Sequence, residues 1–164
     1  MMQNQMTAGP SPGEIDAQYS RAFSGVMTGR VMAYLVDFVI ILFLSVFLFT
    51  FVGILGLVTF GLGWKLMGLV GPATGVIYCG LTIGGRHHST WGMRMFGMRV
   101  MRADGTMPGF LVGAVHALLF YVSVGTLALW LLDVIIGLAR RDRRLGRDLL
   151  LDLVVVNRSA LRLS

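Results

Sequence analysis

The sequence predicts an all-α membrane protein: two transmembrane helices, a third apolar stretch forming a broken or re-entrant helical hairpin, and a small β-ribbon at the cytoplasmic surface. Three observations lead there. Hydrophobic residues make up 55% of the 164 residues and charged ones 13%, against ~25% charged in an ordinary soluble domain. The apolar side chains gather into three long runs. The arginines fall between those runs, where they meet anionic lipid headgroups. The net charge of +6 would suit nucleic acid only if a soluble fold displayed it. The expected partner is therefore the lipid bilayer and not nucleic acid.

Residues 1–24 lack the basic start and short apolar core of a signal peptide. They read as a disordered tail leading into a short interfacial piece around Tyr19 to Met27. A membrane domain follows over 25–157, and 158–164 form a second tail. The first span covers about 31–51, ~31 Å as a helix and enough to cross a hydrocarbon core. A glycine-punctuated link carries no charge before Lys65. The second span covers about 66–83 and contains Pro72, which removes one backbone hydrogen bond and should bend the helix. Gly71, Gly75 and Cys79 recur every four residues, as do Gly80 and Gly84. Small residues at that spacing admit a close neighbouring helix, inside the chain or across a dimer.

The loop 86–108 turns polar. "GMRVMRADG" reads as a strand entering a turn, since Asp-Gly accepts positive φ cheaply, and "DLVVVN" is a matching β-branched run. The third apolar stretch, 110–139, is ~45 Å as a helix, longer than one crossing needs. A single crossing would also put "RRDRRLGR" on the side opposite the other arginines, against the positive-inside rule. The stretch should therefore break near "SVGT" (Ser123 to Thr126) and return, with the N- and C-termini both cytoplasmic.

Three ionisable residues lie inside these runs. Asp37 lies seven residues beyond Arg30, His116 seven beyond Gly109, and Asp133 seven before Arg140. With the hairpin, all three share one depth, ~10 Å in. A lone carboxylate at the bilayer centre costs ~2.5–3.5 kcal/mol on insertion scales, so Asp37 needs a partner. Helical side chains lean toward the N-terminus, which sends Arg30 outward to the headgroups and leaves His116 as the expected partner. The cluster of Asp37, His116 and Asp133 is then either a latch that fixes helix register or a path for protons or a small cation. No nucleophile–base pattern, phosphate loop or zinc-binding helix is present, so neither enzyme chemistry nor a cofactor is expected. The same holds for a metal site, including one at His87-His88.

The chain resembles the RDD family of bacterial membrane proteins, named for one arginine and two aspartates. "GRVMAYLVDFVI" is similar to the family's first-helix motif, matching Arg30 and Asp37. "STWGMRMFGMRVMRADG" matches its loop motif through Thr90, Gly92, Arg94, Gly97, Val100, Asp104 and Gly105. "RRLGRDLLLDLVVVN" matches the closing segment, with Asp148 as the second aspartate. Departures are Met93 for a basic residue, Arg147 for a histidine, and His116 where an arginine is frequent. Asp152 and Leu153 likewise replace small or hydroxyl residues. The resemblance implies a bacterial inner-membrane location and an accessory or scaffold role in a homo-oligomer or larger membrane complex. The alternative it implies is a small cation/proton transporter.

Overall fold

The structure is a computed structural model and describes residues 11–159. Its first element is a helix, α1 (Pro12–Phe23), where the sequence suggested a disordered tail through residue 24. The cause is a capping box. The Ser11 Oγ accepts from the Glu14 backbone, while the Glu14 carboxylate accepts from the Ser11 N–H at 2.7 Å. Pro12 supplies a preset φ at the first turn. The rest of the expected N-terminal tail, residues 1–10, lies outside the described residues, as do residues 160–164. Gly25, at φ +67°, makes the turn into α2 (Val26–Val58).

Helix α2 has 33 residues, ~50 Å of helix, and extends past the expected 31–51 at both ends. Nothing in its sequence stops it, since it contains no proline and no charge after Asp37. Its outer face carries exposed Phe43, Phe47 and Val46. A 3₁₀ turn (Gly63–Leu66) folds the chain back, with the Trp64 ring lying where any side chain on Gly56 would stand. Helix α3 (Met67–Ile83) follows and accommodates Pro72 without ending. The helical runs Pro12–Val58 and Gly63–Ile83 are each long and apolar enough to cross a membrane.

The small-residue stripe of α3 is used within the chain. It packs against α5 (Phe110–Gly125), where the Tyr121 ring covers Gly75 and the Phe110 ring covers Gly80. The Gly109–Phe110 backbone lies against Gly84 so closely that a Cβ there would overlap it. The stripe thereby brings α5 near enough for its His116 to reach the interior.

Helix α5 breaks at Thr126, and α6 (Leu127–Ala139) leaves at an angle of 118°. The break falls in the "SVGT" segment, as expected. Before α5 come α4 (Trp91–Met95) and β1 (Met98–Arg102); after α6 come α7 (Gly146–Leu150) and β2 (Leu153–Asn157). The strands pair antiparallel, with Val100 opposite Val155 and Arg102 opposite Leu153. This pairing brings the chain after α6 back beside the chain before α5. The bent pair therefore begins and ends at the same end of the bundle.

A two-stranded ribbon alone is only marginally stable. Here it is sealed against the helices in a core of Val26, Ala33, Ile83, Met98, Val100, Leu153 and Val155. Asp152 takes φ +52° to turn into β2, and its carboxylate pairs with Arg144 at 2.8 Å. The Asn157 side chain donates to the carbonyls of Arg21 and Ser24, tying α1 to the ribbon.

Candidate functional site

Three buried carboxylates organise the polar end of the helices. Asp37 is held by neutral donors. Its Oδ1 accepts from the Tyr78 hydroxyl at 2.7 Å and the Gly92 N–H at 2.8 Å, and its Oδ2 accepts from the Thr90 hydroxyl at 2.5 Å. Thr90 also caps α4, its Oγ1 accepting from the Met93 N–H at 3.1 Å. One hydroxyl thus starts a helix and docks it on α2. Gly92 rests on the Ala33 carbonyl, where any Cβ would collide. The Thr90 and Gly92 positions of the loop motif therefore have a specific task, which is to bring donors against Asp37.

The remainder of the loop motif shapes the loop itself. Arg94 donates from Nε to the Ser89 carbonyl and lies 5.1 Å from the Trp91 ring centroid, a cation–π contact. Gly97 and Gly105 take φ +65° and +84°, conformations that glycine adopts without a Cβ penalty. Asp104 accepts from the Thr106 N–H and hydroxyl, closing the turn. His88 takes φ +48° and contacts the Ile83 carbonyl through Nδ1 at 3.1 Å, a turn-forming role. No group of three or more metal-ligating side chains occurs among the described residues.

Asp148 is fully buried. Arg30 Nη1 donates to its Oδ2 at 2.5 Å, and His116 Nε2 lies 2.9 Å from its Oδ1. The Leu145 N–H also donates to Oδ2. One carboxylate thus joins α2, α5 and α7. Asp133 on α6 accepts from the backbone N–H and the guanidinium of Arg147, which also sits over the Phe120 ring. Arg147 Nε approaches His116 Nε2 at 3.4 Å. One imidazole nitrogen cannot donate to Asp148 and accept from Arg147 at once. The shorter contact decides for Nε2–H donating to Asp148, with Arg147 a close neighbour.

Two expectations are corrected. Asp37 does not pair with His116, because α4 folds back onto α2 and fills the carboxylate with its own donors. Arg30 does not reach the headgroups. Its side chain leans toward the helix N-terminus as expected, but α7 and the ribbon cover that end of the bundle, and Asp148 meets it there. His116 and Asp133 do lie close together, with Arg147 paired to Asp133 and adjacent to His116. Three participants escaped the sequence reading. Tyr78 is one of three hydroxyl side chains in the apolar α3, beside Thr74 and Thr82, Arg147 enters only as a departure from the motif, and the Gly92 N–H leaves no trace in residue type.

Burial alone would raise the Asp148 carboxyl. The charge of Arg30, the His116 hydrogen bond and charge, and the charge of Arg147 outweigh that and hold it well below the usual carboxylate range. A depressed folded pKa adds stability that is complete above the ordinary carboxylate range and fades as pH falls through it toward the native value. Detergent-solubilised protein should therefore melt at a constant temperature near neutrality and lose stability in acid. Asp148→Asn should show a flatter acid limb, measured as melting temperature against pH from neutral downward.

No curated protein and no solved structure matches the chain. The RDD family model matches residues 25–152, from the start of α2 to the turn before β2, and so takes in Arg30, Asp37, the loop motif and Asp148. The chain belongs to the RDD family.

Proposed function

We propose that this RDD protein is an accessory or scaffold component of the bacterial inner membrane, whose buried carboxylates act as latches. One observation carries the reading. Both oxygens of Asp37, of Asp133 and of Asp148 accept hydrogen bonds from other parts of the chain. A cation drawn to these oxygens would compete with the donors that hold α4, α6 and α7 in place. Carboxylates engaged on both oxygens in this way suit fixed geometry better than exchange of ions. The latches present a rigid face made of the arginine-bearing loop, α7 and the ribbon. The positive-inside rule puts that face in the cytoplasm, where it would meet anionic headgroups and a homo-oligomeric or larger partner. The reading is non-enzymatic.

The alternative, cation/proton exchange, draws on Asp37 and His116 lining one cavity. Purified protein reconstituted in liposomes separates the two readings. The latch reading expects no cation flux driven by a pH gradient, for wild type or Asp37→Asn alike. A pH-driven flux that Asp37→Asn abolishes, with the melting temperature unchanged, would overturn the latch and install the exchanger.

A further inference from the structure

Away from the three buried carboxylates, a turn, a short helix and the ribbon bring four arginines to one place. The turn 86–89 carries exposed Arg86 and His87. It runs along the open edge of β1, where the His88 carbonyl accepts from the Val100 N–H at 2.8 Å. Arg94 on α4 reaches the same turn, its Nε donating to the Ser89 carbonyl at 3.2 Å. On β1, Arg99 stands opposite Val156. The ladder continues one step beyond β2, with the Arg158 N–H donating to the Gly97 carbonyl at 2.8 Å. Side chains alternate along a strand, so Arg158 shares the face of Val156 and lies diagonally across from Arg99, ~7–8 Å away.

None of these four guanidiniums pairs with a carboxylate among the described residues, where the ion pairs of arginine use Arg30, Arg140, Arg144 and Arg147. The terminal nitrogens of Arg94, Arg99 and Arg158 have no acceptor among those residues and are not fully buried. Arg94 is moreover held in place, by the Ser89 carbonyl at Nε and by the Trp91 ring 5.1 Å away. Its terminal edge is thus presented ready-made and unpartnered. His87 stands in the field of all four. The charge of Arg94 first, then desolvation and the charges of Arg158, Arg86 and Arg99, hold its pKa below the ordinary histidine range. Like charges gathered in this way repel one another, and an anion shared among them relieves that repulsion.

We infer that Arg86, Arg94, Arg99 and Arg158 form, with His87, a binding site for a phosphate-bearing anion. Guanidinium groups suit phosphate oxygens by charge and by their paired N–H donors. A lipid headgroup and free phosphate bring the same chemistry to this site. The inference rests on the scaffold reading only for the cytoplasmic placement of this face. It goes further than the general attraction of an arginine-bearing loop to a membrane, because donors from three separate segments gather around one imidazole. A bound anion raises the proton affinity of His87, and by linkage acid tightens the binding.

NMR of the full chain in phosphatidylcholine nanodiscs, with isotope-labelled histidine, tests the site. The His87 signal is the one missing from His87→Gln. Its titration midpoint should rise by about 0.5 pH unit or more when phosphatidylglycerol enters the bilayer, or when inorganic phosphate replaces chloride at equal ionic strength. A rise with inorganic phosphate shows that free phosphate suffices, and a rise with phosphatidylglycerol alone identifies the headgroup. Arg86→Gln/Arg158→Gln should lose most of the rise. Arg86 is exposed and Arg158 partly so, and this variant should melt like wild type. Arg102→Gln, further along β1, should respond like wild type. A surface potential acting on the whole loop would instead leave the rise intact in the double variant. That result, no rise with either probe, or an equal loss in Arg102→Gln would each overturn the proposal. None of these substitutions removes a partner of Asp37, Asp133 or Asp148, so the latch stands or falls separately, by flux and melting temperature.

Discussion

Asp148→Leu should be the most damaging single substitution in the chain, lowering stability by about 3–5 kcal/mol, as expected when one partner of a buried ion pair is removed. The carboxylate is fully buried and serves three donors from three parts of the fold: Arg30 Nη1, His116 Nε2 and the Leu145 N–H. Its loss strands a guanidinium that already has two buried nitrogens without acceptors among the described residues. Against a total of ~5–15 kcal/mol for a typical folded domain, such a loss should show as low yield, aggregation on size-exclusion chromatography and a depressed melting temperature. Asp148→Asn keeps an acceptor for Arg30 and should lose less. The double variant Arg30→Met/Asp148→Leu removes the stranded charge together with its partner and should recover part of the deficit, since an apolar pair can replace a buried ion pair. A single Asp148→Leu variant that melts with wild type would refute the role given to this residue.

The contrast between Asp148 and Asp37 shows what the sequence could disclose. The helical runs, the break near Thr126 and the ribbon were legible because each follows from a local pattern: apolar length, a small polar interruption, and β-branched runs beside Asp-Gly. Distance along each helix was legible too, since rise per residue converts position into length along the axis. Azimuth was not. Residues at equal depth meet only if their helices turn the right faces to one another, and that depends on how closely α3 and α5 approach. The close approach at Gly75, Gly80 and Gly84 was visible as a stripe, but not which neighbour it would receive. The pairing of Asp37 was hidden for a further reason. Its donors come from the polar loop 86–108, which composition places at the membrane surface. The structure folds that loop back onto α2 as α4. Arg30 illustrates the same limit: its lean was foreseeable, but the cover provided by α7 was a tertiary fact.

Asp37→Leu should be the second most damaging change, on the order of 2–4 kcal/mol from donors left without an acceptor. The Tyr78 hydroxyl, the Thr90 hydroxyl and the Gly92 N–H would all lose their acceptor inside an apolar setting. The hydroxyls can rotate toward other acceptors, but the Gly92 N–H cannot, because Gly92 is pressed against Ala33. The loss should therefore be relieved by α4 lifting off α2. Arg94 lies in α4, Arg86, Arg99 and Arg102 lie on either side of it, and all are trypsin sites, so limited proteolysis of membranes reads the event directly. Cleavage in this loop should be faster in Asp37→Leu than in wild type, with Thr90→Val between them. Asp37→Asn should stay near wild type, because its amide oxygen still accepts from Tyr78 and Gly92 and its NH₂ can donate to Thr90 Oγ1. The order Leu, Val, Asn is what a hydrogen-bonded latch requires. An exchange site would instead be disabled by Asp37→Asn with the loop still protected. Unaltered loop cleavage in Asp37→Leu would show that α4 is held by something other than this carboxylate.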